Sequence, residues 1–116
     1  MSSEAERAAQ LETLLNEAWR EYRSEVVTRI TLLKDALEGA RAGTLDETTR
    51  AEANSMAHKL AGVLGTFGLR EASRAAIAIE LILAPGKEIS QEKMGAYEAH
   101  LGVIGEGVLK RDAQAA

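Results

Sequence analysis

Apolar residues recur three and four positions apart along almost the whole chain, which is the spacing of one helix face, and small or polar residues interrupt that rhythm at only a few points. Leu11, Leu14, Leu15, Ala18, Trp19 and Tyr22 mark a first helix, with Ser2 or Ser3 placed to cap it and Glu4 and Glu6 placed to meet its N-terminal dipole. Ser24, with Glu25 behind it, is a candidate internal cap, so this first helix is expected to be short and the chain to bend near Tyr22 to Ser24. A second helix turns Val26, Val27, Ile30, Leu33 and Leu37 inward, leaves Arg29, Lys34, Asp35, Glu38 and Arg41 to solvent, and ends between Gly39 and Gly43. Thr44 or Asp46 caps a third, whose inner stripe is Ala53, Met56, Ala57, Leu60, Val63, Leu64 and Phe67, and Gly68 can end it in the left-handed conformation.

A fourth helix runs from about Leu69 through Ala72, Ala75, Ala76, Ile79, Ile82 and Leu83 and stops before Ala84-Pro85-Gly86, which holds the only proline. Ser90 caps the last, with Ile89, Met94, Tyr97, Leu101, Ile104 and Val108 turned inward. Gly95, Gly102, Gly105 and Gly107 dilute that helix, so it is expected to be the least stable and to fray from Lys110 to Ala116. The pattern therefore predicts an all-α fold, an up-and-down four-helix bundle with an additional short N-terminal helix, over residues 1–116 as a single domain.

Composition narrows the function classes. Hydrophobic residues make up 46% of the chain and aromatic ones 3%, so the core is built from aliphatic side chains and alanine, which suits close-packed helices. A net charge of −4 offers no basic excess to neutralise phosphates, which argues against a nucleic-acid partner and towards protein partners. Cysteine is absent, which excludes disulfides and thiolate chemistry, and two histidines far apart in sequence do not make a metal site. No apolar run approaches the ~20 residues of a membrane span, and the polar start is unlike a signal peptide. The expectation is a cytoplasmic protein with no membrane contact.

One stretch does what composition does not require. On a helix, Asn54, Ser55, Ala61, Gly62 and Gly65 share the face of His58, so nothing bulky stands beside the imidazole. Each glycine inside a helix costs about 1 kcal/mol relative to alanine, so keeping Gly62 and Gly65 here implies that another surface comes close. A lone surface histidine is ordinarily just a solvated side chain, and helical glycines ordinarily serve helix packing; the combination points instead to a histidine presented on a flat, side-chain-poor surface. His100, among the glycines of the last helix, has no such company and is read as an ordinary surface or partly packed histidine.

The run Ala57-His58-Lys59-Leu60-Ala61-Gly62-Val63-Leu64-Gly65-Thr66-Phe67-Gly68-Leu69 resembles the signature of histidine-containing phosphotransfer (HPt) domains, His-x-Leu-Lys-Gly followed by small residues and a closing glycine. Trp19-Arg20-Glu21-Tyr22, the Gly43-Thr44-Leu45-Asp46 turn and the alanine-rich helix reaching Ile79-Glu80 resemble elements of the same family, so the likeness covers nearly the whole chain. It implies a four-helix bundle in which His58 is the phosphorylated histidine, Leu60 the buried anchor of its helix, and Gly62 the residue that lets a receiver domain's loops reach the ring. The family's lysine after the leucine is Ala61 here, and a lysine stands instead at Lys59, about 100° around the helix from His58. Neutral imidazole is a competent nucleophile near neutral pH, and phosphoryl transfer rests on in-line positioning and charge stabilisation. By the resemblance, receiver domains of response regulators or hybrid kinases supply the aspartyl phosphate, Mg²⁺ and a lysine. The chain then needs no cofactor of its own and acts as a monomeric relay rather than an enzyme. The alternative is an adaptor or inhibitor that docks the same partners through this face without being phosphorylated.

Overall fold

The computed structural model describes residues 3–116 and contains four α-helices and, among the described residues, no strand. These are α1 (Glu4–Ala42), α2 (Glu47–Thr66), α3 (Arg70–Ile82) and α4 (Gln91–Ala115). They pack as a closed ring, α1 on α2, α2 on α3, α3 on α4 and α4 back on α1. Short connections force each helix to run back along its predecessor. Among the described residues no helix is long and apolar enough to cross a membrane.

The short separate N-terminal helix and the bend at Tyr22 to Ser24 do not exist: α1 is one helix of 39 residues. Trp19, Val26, Ile30, Leu33 and Leu37 are buried on one face of this continuous helix, with Trp19 and Val26 two turns apart across the exposed Tyr22 and Arg23, an alignment that a bend would have destroyed, and the Ser24 carbonyl simply accepts the Thr28 hydroxyl one turn on. A serine signals a helix start only where the apolar stripe breaks with it. Ser3 caps α1, its hydroxyl accepting from the Glu6 N–H at 3.1 Å; the alternative cap at Ser2 lies outside the described residues. Val27 is exposed rather than inward, because it stands about 100° around from the buried Val26.

The other expected boundaries hold. Gly43 closes α1 at φ 69° and Gly68 closes α2 at φ 75°, the left-handed region where a side chain is strained. Asp46, not Thr44, caps α2: its carboxylate accepts the Thr49 N–H at 2.7 Å, which holds its pKa below the ordinary value. Ser90 caps α4.

Trp19, Leu33, Leu60, Leu64, Ile79, Leu83, Tyr97 and Ile104 fill the core. Tyr97 reaches across it to donate its hydroxyl to the Leu33 carbonyl at 2.6 Å, and burial pushes its phenol well above the usual range. The expected fraying of Lys110 to Ala116 is also overturned, since α4 stays helical to Ala115 with Arg111 and Ala115 buried. Polar ties outweigh the glycines there. The Trp19 indole donates to Asp112 at 2.8 Å, Arg23 pairs with the same carboxylate oxygen at 2.8 Å, Arg20 donates to the Ala115 carbonyl at 3.0 Å, and Arg111 donates to Asn16 at 2.7 Å while lying over the Phe67 ring. Gly107 suits the packing, because a Cβ there would lie 3.0 Å from the Ala72 Cβ on α3, tight enough that one helix would have to give by a few tenths of an ångström.

A single side chain ties the start of α2 to the end of α3. Arg50 donates to the carbonyls of Leu83, Ala84 and Lys87, satisfying acceptors that a helix end otherwise leaves open. Arg50→Met is therefore expected to lower unfolding stability by about 2–3 kcal/mol, read from urea midpoints. A second expectation concerns acid. The hydrogen bond and charge of Arg23 hold the Asp112 carboxyl below its usual range, with the Trp19 indole adding to the effect. The folded state thus favours the ionised form, and its contribution is present above the ordinary aspartate pKa and lost as pH falls through the lowered one. The stability gap between the wild type and Asp112→Asn should accordingly shrink on acidification from pH 6 towards 2.5.

Candidate functional site

Asp46 starts α2 and Leu60 and Leu64, both fully buried, set its rotation, so the positions between them decide what the helix shows to solvent. His58 stands at the edge nearest α3 with 76% of its side chain exposed. Its Nδ1 lies 3.0 and 3.2 Å from the two carboxylate oxygens of Glu80, on α3, whose own side chain is 25% exposed. A carboxylate only accepts, so Nδ1 carries a proton, and in the neutral ring Nε2, the outer nitrogen, keeps its lone pair towards solvent.

The same residue is held from behind. Asn54 donates its amide to the Glu80 backbone carbonyl at 2.8 Å, one turn before His58, and Ser73 donates its hydroxyl to the Ala61 carbonyl at 2.8 Å, one turn after it. These bonds lock the register of α2 against α3, and with it the distance from the imidazole to the carboxylate. The ring is therefore oriented by a partner on a different helix whose own position is fixed twice over.

The residues expected around His58 divide into three groups. Ser55, Lys59, Gly62 and Gly65 are exposed on α2. At Gly62 an added Cβ would meet nothing within 4 Å, so no packing contact inside the bundle requires the glycine; at Gly65 it would lie 3.4 Å from the Ser73 hydroxyl, an ordinary contact with α3. Asn54 is half-buried and occupied with Glu80, which makes it a support of the site rather than a contact surface. Ala61 is a correction: it is only 7% exposed and faces α3, because His58 lies off the centre of the solvent face and the residue three positions on swings inward. A lysine at 61 would be directed at the α2–α3 seam, so alanine suits this bundle.

Glu80 was missed as a site residue by sequence reasoning. The signal existed, a lone acid in the apolar run Ile79-Glu80-Leu81-Ile82-Leu83, on the inner edge of its helix. His100 lies on α4, which does not pack on α2, so the two histidines do not converge.

A family model described as the Hpt domain matches residues 17–111. The chain belongs to the Hpt domain family. No curated protein and no solved structure gives a match to the chain. The Hpt match takes in α2, α3 and most of α4, and with them His58, Glu80, Asn54 and Ser73, while the first turns of α1 fall outside it. Hpt domains are phosphocarrier modules of two-component phosphorelays and generally work with receiver domains. The helical bundle of this chain is the architecture that goes with that role.

Because Glu80 alone selects the Nδ1–H tautomer, Glu80→Ala is expected to move the His58 ring towards the Nε2–H form favoured by free imidazole. Nitrogen-15 correlation spectra of the ring read this directly, and an unchanged tautomer in Glu80→Ala would show that the carboxylate does not orient the ring.

Proposed function

We propose that this chain is a single Hpt module in which His58 accepts a phosphoryl group from the aspartyl phosphate of one receiver domain and passes it to the aspartate of another. The observation that carries the reading is the pairing of Nδ1 with Glu80, which in the neutral ring leaves Nε2 unprotonated and outward on a helix surface bare of side chains at Gly62. In the forward step Nε2 attacks phosphorus in line with the aspartyl oxygen; the N–P bond forms as the O–P bond breaks, and the aspartate departs as a carboxylate. No proton has to move. The ring becomes a phospho-imidazolium that keeps its Nδ1 proton, and Glu80 balances the new positive charge. In the onward step the second receiver's carboxylate attacks the same phosphorus and Nε2 leaves as the neutral ring.

The receiver contributes the Mg²⁺ and lysine that neutralise the phosphoryl oxygens, and Lys59, exposed one position along α2, adds a flexible cation at the rim. Ser55, Gly62 and Gly65 form the surface on which the receiver sits. The reading makes the chain a carrier without turnover of its own, working in the cytoplasm where its receivers are.

Incubation with a phosphorylated receiver is expected to place an acid-labile, base-stable phosphate on the protein, and His58→Gln to abolish it; labelling that persists in His58→Gln overturns the assignment. Gly62→Arg is the second test. Since the site is open, the variant folds, and removal of a helical glycine makes it up to about 1 kcal/mol more stable. Transfer should nevertheless fall by about a hundredfold, the scale of loss when reacting groups are displaced by an ångström or more. Signalling through the receiver that is retained in His58→Ala but lost in Gly62→Arg would favour the adaptor role instead.

A further inference from the structure

Residues 4–14 of α1 are exposed without exception, so the helix runs on for about three turns past the region where other helices cover it. An isolated helix of that length is marginal in water and gains its stability from an apolar face packed against something. This overhang has such a face. Ala8, Leu11, Leu15, Ala18 and Tyr22 are spaced alternately three and four apart, the heptad rhythm of a two-helix seam, and Leu11, Leu14 and Tyr22 are 58%, 62% and 46% exposed. The stripe leads into a groove of about 200 Å³ formed by Leu15, Ala18 and Tyr22 of α1 with Val63, Thr66 and Phe67 of α2. Overhang and groove lie end to end on one molecule.

We infer that the overhang of α1 seats in the corresponding groove of a second copy of this chain, making an antiparallel two-fold dimer in solution. The occupant follows from how the surface reads against itself. When two α1 helices are laid antiparallel along the stripe, Leu11 meets Leu15 of the second copy, Ala8 meets Ala18, and Leu14 meets its own counterpart on one flank of the two-fold axis. On that flank Arg7 falls opposite Glu21 of the second copy, giving two symmetry-related ion pairs from the single arginine within residues 4–14. An anionic membrane surface fits less well, since Glu4, Glu6 and Glu12 outnumber Arg7 over the overhang. The arrangement also has one like-charge contact, Glu12 against its own counterpart on the opposite flank. This face is separate from the imidazole and its inference does not depend on phosphotransfer; it replaces the monomer expected from sequence.

The seam is short for a stable interface, so the dimer is expected to be weak, with a dissociation constant on the order of tens of micromolar. Sedimentation of the full chain from about 1 to 500 μM should show a reversible shift from monomer to dimer on that scale. Leu11→Asp combined with Leu14→Asp should leave the chain monomeric throughout, with the urea midpoint of the bundle unmoved because both residues are solvent-exposed. Arg7→Glu should weaken association about tenfold and Arg7→Glu with Glu21→Arg should restore it, while Glu12→Gln should tighten it severalfold. A chain that stays monomeric at the highest concentration overturns the inference, and so does a dimer that survives the double aspartate variant.

Discussion

The seam between α2 and α3 turns on Glu80, which is held twice: its backbone carbonyl takes the Asn54 amide and its carboxylate takes the His58 ring. Small apolar side chains leave a helix freer to slide against its neighbours, and α3 buries Ala72, Ala75 and Ala76. Polar bonds remove that freedom. Asn54 to Glu80 and Ser73 to the Ala61 carbonyl admit one register only, and Arg50, gripping the carbonyls at the end of α3, sets the same register at the far end of the seam. The imidazole orientation is thus a consequence of helix packing, with no loop involved.

That dependence explains which parts were legible in sequence. The core stripes, the Gly43, Gly68 and Ser90 boundaries and the all-α bundle follow from local periodicity and capping, where the residues concerned are near neighbours in the chain. His58 and its bare surface were legible for the same reason. Glu80 lies 22 residues away and its meaning depends on register, which no local pattern carries. Ala61 was misplaced by a small rotation: the apolar stripe locates the buried side of α2, but whether the third residue after the histidine falls just inside or just outside the seam depends on where α3 sits. Ser24 misled in the opposite way, since a cap signal competes with the continuation of the helix and lost to the apolar stripe that continues through Val26 and Ile30. The helical end of α4 was hidden because its ties, from Asp112 and Arg111 to Trp19, Arg23 and Asn16 in the first half of α1, span most of the chain.

Space and backbone conformation account for some of the glycines. Gly43 and Gly68 are dictated by backbone conformation and Gly107 is favoured by the approach of Ala72, so each has a reason internal to the fold. Gly62 has none, its dihedral being helical and nothing occupying the place of its Cβ, a trait it shares with Gly95, Gly102 and Gly105 of α4; what sets it apart is its place one turn from His58. A destabilising residue without an internal reason, one turn from an oriented histidine, is what a surface selected for contact looks like.

The exposure of the pair also bears on how a relay can run. Were the imidazole and Glu80 buried together, the cation formed on phosphorylation would be strongly stabilised and the phosphoryl group trapped. With 76% of the His58 side chain in solvent, water screens the pair, and such pairs are worth about 0–1 kcal/mol. That is enough to choose a tautomer, because the competing forms differ by a similar amount, yet it biases the phosphoryl equilibrium by at most about fivefold. In the proposed relay the direction of flow is then set by the two receivers, and the carrier stays close to neutral between them. The same weakness requires the receiver to exclude water from the ring as it docks, which is the work a bare surface around Gly62 permits.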